Sequence, residues 1–150
     1  MILVCVVTGF ICKIKRMNAK RMICIALLAA YVLFILFQTV IGREQKNFRA
    51  EWMPFWSYSY PELYMEIILN YLLFIPLGIL LYGVYGEQIG LKVVLIGCVL
   101  SIEIEITQLV FRIGLFEFDD IIGNTIGCLM GAGFGKVVRN AVRSYRNHRK

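Results

Sequence analysis

Ser101, Glu105, Gln108 and Arg112 follow one another at steps of four, three and four residues. That spacing puts side chains on one stripe of an α-helix. A hydroxyl, a carboxylate, an amide and a guanidinium so arranged suit several kinds of chemistry. The carboxylate of Glu105, with Asp119 or Asp120, could act as general acid and base, or supply oxygen ligands to a hard divalent cation such as Mg²⁺. Amides and an arginine beside them suit the recognition of a sugar or a phosphate head group. A complete nucleophilic set is missing. Ser101 is the only hydroxyl on the stripe, has no neighbouring His or Lys to activate it, and the single histidine, His148, lies in a basic tail; triad-type covalent catalysis would need such a base. The cofactor expectation is therefore none, with a divalent cation left open.

Two further segments carry polar groups at helical spacing. Glu66, Asn70 and Phe74 are four residues apart, and Asp120 is followed at the same interval by Asn124. Asn70 and Glu105 both fall about 10 Å inside the ends of their segments at the rise of an α-helix, so they could touch. Glu103 points away from the Glu105 stripe. Asp119 and Asp120 also suit a purely structural role, capping a helix N-terminus and answering its dipole. Gly123, Gly127, Gly131 and Gly135 recur at strict four-residue intervals, a ridge that lets a neighbouring helix approach closely. The ridge serves a homo-oligomer as readily as an internal bundle.

What must position these groups is a membrane bundle. The chain of 150 residues is 59% hydrophobic, and its apolar residues fall in blocks of about twenty, the length a helix needs to cross ~30 Å of hydrocarbon. Four blocks qualify: Met22 to Ile41, Leu63 to Tyr85, Leu91 to Phe111 and Ile121 to Val138. The expected fold is an all-α integral membrane protein, one four-helix transmembrane domain. Met1 to Cys12 is apolar but too short for an ordinary span, lacks the pattern of a signal peptide, and reads as a short extra helix, buried or interfacial. The loop from Gly42 to Pro61 carries Trp52, Phe55, Trp56, Tyr58 and Tyr60, an aromatic density suited to the headgroup layer.

Charge sets the expected orientation, because cytoplasmic flanks retain Lys and Arg. Twelve of the sixteen lie before the first block, at the start of the third (Lys92), or from Lys136 at the end of the fourth to the end of the sequence. Only Arg43, Lys46, Arg49 and Arg112 lie on the other side. Both termini are then cytoplasmic, with residues 139–150 a basic tail, and nine of the ten acidic residues gather in or near the outer half, Glu87 being the exception. Ionisable groups at membrane depth cost roughly 2.5–3.5 kcal/mol on insertion scales, so Glu66, Glu103 and Glu105 need partners or water. The net charge of +6 has this topological reading, and no nucleic-acid-binding motif accompanies it. Cys5, Cys12, Cys24, Cys98 and Cys128 all sit in apolar stretches without a C-x-x-C pair and read as packing or lipid-facing residues.

Several of these residues form an ordered series. Arg43 follows the first block and Pro54-Phe55 lies in the loop. Next come Asn70, Phe74, Pro76 and Gly78 as N-x-x-x-F-x-P-x-G, then Ser101, Glu105 and Gln108 as S-x-x-x-E-x-x-Q. Asp119, Asp120, Asn124 and Gly127 close the series as D-D-x-x-x-N-x-x-G. The series resembles the VanZ-like family of bacterial membrane proteins over most of the chain. It departs at Glu51-Trp52, where members often carry Asn-Leu, and in the extension Met1 to Lys20. The resemblance implies a small helical protein of the cell envelope and, for the namesake, lowered sensitivity to teicoplanin-type glycopeptides. It carries no mechanism. The candidate ligand-binding residues are Arg43, Asn70, Ser101, Glu105, Gln108, Arg112, Asp120 and Asn124. The expected partners are the bilayer and a lipid-linked cell-wall precursor or a glycopeptide. An enzyme acting on an envelope lipid through Glu105, Asp119 and Asp120 is the alternative.

Overall fold

The computed structural model describes residues 18–40 and 50–149. The extra helix expected over Met1 to Cys12 and the candidate Arg43 lie outside them. Four helices carry the fold: α1 (Ala19–Val40), α2 (Tyr64–Tyr85), α3 (Lys92–Phe111) and α4 (Phe118–His148). Each is long and apolar enough to cross a membrane, and outward-facing Leu33, Leu95, Val110 and Val137 are well exposed, as lipid-facing side chains should be. The chain is a multi-pass membrane protein.

Local chemistry sets the helix ends. A short turn, Pro61–Leu63, begins with proline at its first position and leads into α2, where the missing N–H costs nothing. α2 ends at Gly86 and α3 follows Gly90, both at positive φ, a region in which glycine is unstrained. α3 ends at Arg112, whose left-handed backbone (φ 56, ψ 38) turns the chain. α2 continues through Pro76. One turn before it the Leu73 carbonyl, three residues from the proline, accepts a hydrogen bond from the Tyr31 hydroxyl of α1 at 2.9 Å, the kind of neighbouring donor that lets membrane helices tolerate proline.

Three of the helices match their expected spans to within three residues at either end, but α4 does not stop at Val138. It runs on to His148. Residues 139–148 contain neither Gly nor Pro, so nothing breaks the helix where hydrophobicity fades. Its 31 residues correspond to about 46 Å, well beyond the hydrocarbon thickness, and the basic "tail" is the same helix emerging from the bilayer.

α2 and α4 form the centre of the bundle, and glycines bring their backbones together. A Cβ at Gly131 would overlap the Ile75 carbonyl, one at Gly127 the Tyr71 carbonyl, and one at Gly78 the Cys128 carbonyl. Gly123 and Gly135 face Tyr71 and Tyr82 of the same helix. All four glycines of the ridge are therefore used inside the bundle. Around this seam pack Ile35, Phe74, Leu77, Val93, Ile104 and Cys128, all nearly inaccessible.

At the end where α1 finishes and α4 begins, a parallel pair of two-residue strands, β1 (Ala50–Glu51) and β2 (Phe116–Glu117), joins the aromatic loop to the α3–α4 connection. Trp52 lies against Phe116 with ring centroids 4.5 Å apart. We call this the acidic end and the opposite one the basic end.

Candidate functional site

The acidic end buries polar side chains that an apolar bundle would ordinarily reject. Ser101, Glu105 and Gln108 present one face of α3 and are 0%, 1% and 2% exposed. Asn124, nearly two turns into α4, meets them from the facing helix and donates from Nδ2 to Ser101 Oγ at 2.9 Å. Glu105 Oε2 accepts the backbone N–H of Glu117 at 2.9 Å, so the carboxylate ties α3 to the strand that leads into α4. Gln108 Nε2 donates to the Thr39 carbonyl at 3.0 Å. That carbonyl belongs to the last turn of α1, where four backbone oxygens lack helical partners, and Gln108 caps one of them. The Thr39 hydroxyl turns back to the Ile35 carbonyl at 2.8 Å.

Each amide is satisfied on one side only. Among the described residues, Gln108 Oε1 and Asn124 Oδ1 are buried with no hydrogen-bond partner. An unmet buried acceptor costs about 1–3 kcal/mol, and native interiors hold few of them. Both atoms are acceptors, so what would complete them is a donor such as a hydroxyl or an amide N–H group.

The aspartates divide their work. Asp119 is buried and its Oδ1 accepts the N–H of Phe55, a residue held in the left-handed region at φ 63. Asp119 thus fastens the aromatic loop to the start of α4. Asp120 is half-buried, and it, Asp119 and Glu105 are each held by further interactions. Both aspartates lie in the first turn of α4, where negative charge also answers the helix dipole. Asp119→Ala should therefore free the loop at a cost of about 1–3 kcal/mol. Limited proteolysis between residues 52 and 60 should quicken in that variant, while the helical far-UV signal stays unchanged.

The loop has a second anchor. The hydroxyls of Tyr58 and Tyr71 lie 3.0 Å apart. This hydrogen bond first, and burial second, push the Tyr58 phenol up to about 12, so it stays protonated across the physiological range.

Not every expected residue joins the cluster. Arg112 was placed on the Glu105 stripe by its spacing, but α3 ends at Phe111 and the left-handed turn carries Arg112 out of helical register, exposed. Asn70 is half-buried on α2, and among the described residues no hydrogen bond links it to Glu105. α4, rather than α2, supplies the amide that meets the stripe. Glu103 faces away, as its spacing requires, and lies exposed at the rim of an apolar groove with Leu28, Leu77 and Leu100. Among the described residues no three His, Cys, Asp or Glu side chains converge as a metal site would need.

The sequence reading missed Thr39 and Glu117, which take part through backbone atoms. The available signal for Thr39 was a polar residue in the last turn of an apolar helix, level with Gln108. For Glu117 there was none, since any residue supplies an N–H.

The motif residues named above occupy these buried positions: Phe74 and Gly78 on α2, Ser101, Glu105 and Gln108 on α3, and Asp119, Asn124 and Gly127 on α4. The VanZ/LLP1 family model matches residues 22–139, which takes in all four helices. Protein VanZ of Enterococcus faecium is 41% identical over 69 residues, a stretch covering 45% of this chain and 42% of that protein. The aligned region thus spans less than half of that relative's length. No solved structure matches the chain. With its family model covering the whole four-helix bundle, the chain belongs to the VanZ/LLP1 family.

Proposed function

We propose that this protein acts at the cell envelope, with both termini cytoplasmic and the acidic end at the outer leaflet. There it binds or alters a lipid-linked envelope component and so lowers sensitivity to teicoplanin-type glycopeptides. The orientation rests on the twelve-to-four distribution of Lys and Arg and the positive-inside rule. One observation carries the binding reading: two amide oxygens, Gln108 Oε1 on α3 and Asn124 Oδ1 on α4, are buried without partners among the described residues. A sugar or peptide group of a cell-wall precursor would supply the missing donors, and the exposed rings of Trp52 and Phe55 would lie along its lipid portion.

Expression in a sensitive Gram-positive host should raise the teicoplanin concentration that it tolerates. Unchanged tolerance with confirmed membrane expression would overturn the reading. The burial of Glu105 also favours a second reading, an enzyme that uses this carboxylate with Asp119 or Asp120 on an envelope lipid. Purified protein incubated with labelled lipid-linked precursor, with and without Mg²⁺, separates the two. Turnover that Glu105→Gln abolishes supports catalysis, and binding without turnover supports the first reading.

A further inference from the structure

The basic end holds a groove that the proposed function does not use. Its volume is about 540 Å³, and it lies between the start of α1, the end of α2 and the stretch of α4 from Phe134 to Arg139. Lys20 and Arg21 form one lip and Arg139 the other, over a floor that includes Cys24, Gly83 and Phe134. Among the described residues none of these three cations is in an ion pair, whereas the nearby Lys136 is paired with Glu87 at 3.5 Å.

Arg139 is held in place. Its guanidinium lies 5.9 Å from the centroid of the buried Tyr82 ring, and one of its nitrogens packs against Gly86 so closely that a Cβ there would sit 2.6 Å from it. Tyr82 is itself fixed by its hydroxyl, which donates to Glu87 at 2.7 Å. A second basic groove, lined by Arg143, Arg146 and Asn147, adjoins the first and shares Lys20 and Arg139 with it.

We infer that this groove binds an anionic glycerophospholipid, its phosphate held between Lys20, Arg21 and Arg139 and its upper acyl chain lying on the apolar floor. Three cations around one cleft, none with a carboxylate at ion-pair distance among the described residues, call for an anion, and guanidinium groups suit phosphate oxygens in particular. The floor calls for hydrocarbon, and the site lies where helices leave the bilayer, at the depth of lipid head groups. A soluble phosphate would leave the floor uncovered, and a zwitterionic lipid would bring its own cation against the lips.

Native mass spectrometry of the detergent-purified full chain, titrated with phosphatidylglycerol or with phosphatidylcholine, tests the assignment. Retained phosphatidylglycerol adducts should exceed phosphatidylcholine adducts. Lys20→Gln, at an exposed helix start, should weaken binding roughly fivefold, the worth of one juxtamembrane cation. Lys20→Gln with Arg139→Gln should weaken it by roughly the square of that factor. Arg149→Gln removes the same charge from the residue that follows α4, outside both grooves, and should change binding less than about twofold. An equal loss in Arg149→Gln would show general attraction and overturn the site. So would equal retention of the two lipids, or full competition by glycerol 3-phosphate. If the double variant does not fold, the single Lys20 variant against Arg149→Gln still decides.

Discussion

Gly131→Leu should abolish the folded monomer. Gly131 lies where α4 crosses α2 most closely, and even one added carbon would overlap the Ile75 carbonyl. That atom is main chain, so no rotamer change relieves the clash and the two helices must separate. Separation strips contacts on both sides of the seam, including Phe74, Leu77, Cys128 and Ala132, all nearly inaccessible. Overpacking a core commonly costs about 1–3 kcal/mol. Here the cost should exceed that range, because helices in lipid associate through close packing and polar contacts without a hydrophobic force between them. The variant should run as aggregate in size-exclusion chromatography and show no cooperative melting. Gly133→Ala, on the same helix with nothing within 4 Å of the added carbon, should melt at or slightly above the parent temperature, since alanine favours a helix by about 1 kcal/mol over glycine. If Gly131→Leu folds normally, the seam described here is wrong.

This contrast also marks what the sequence could and could not reveal. Four glycines at four-residue intervals announce a close helix–helix contact, yet the pattern is the same for an internal partner and for a second copy. Choosing between them takes the path of α2, whose Tyr71 and Ile75 carbonyls receive the ridge. The α2 span was legible because its apolar block is bounded by turn chemistry, Pro61 before it and Gly86 to Gly90 after it. The reach of α4 to His148 was not, since hydropathy reports contact with lipid while helix formation needs only the absence of breakers.

The site shows the same division. Ser101, Glu105 and Gln108 lie on one buried face because side-chain direction along a straight helix follows from spacing alone. Arg112 leaves that face because α3 stops at Phe111 and the next residue turns left-handed, which spacing does not announce. Asp119 was legible as a residue of the first turn of α4, but its partner, the Phe55 N–H, is 64 positions away in a loop whose path only the folded chain defines. Asn70 and Glu105 share a depth, and depth alone does not set which helices face each other.

Glu105→Gln should remove the protection against teicoplanin while leaving the bundle intact, and it is the substitution that best separates a binding site from a structural knot. The amide is nearly isosteric with the carboxylate and keeps an oxygen that can accept the Glu117 N–H, now bonded at 2.9 Å. The charge is lost, and with it the strongest acceptor in a cluster where, among the described residues, the side-chain oxygens of Gln108 and Asn124 have no partner. The new NH₂ group also brings donors into that cluster, where they would compete with a donor-rich ligand for the same acceptors. A network serving only to hold α3 against α4 should change little, because the amide keeps an oxygen for the Glu117 N–H. A site for hydroxyl or amide donors should lose its ligand. The expected result is teicoplanin tolerance at the level of the empty vector, with membrane expression and melting temperature close to those of the parent. Glu105→Ala should differ by also destabilising the fold, by about 1.5–3 kcal/mol for a lost hydrogen bond to a charged group, seen as a lower melting temperature. Full tolerance in a well-expressed Glu105→Gln variant would show that the carboxylate's charge is not needed, and the cluster would then be a fastening between helices.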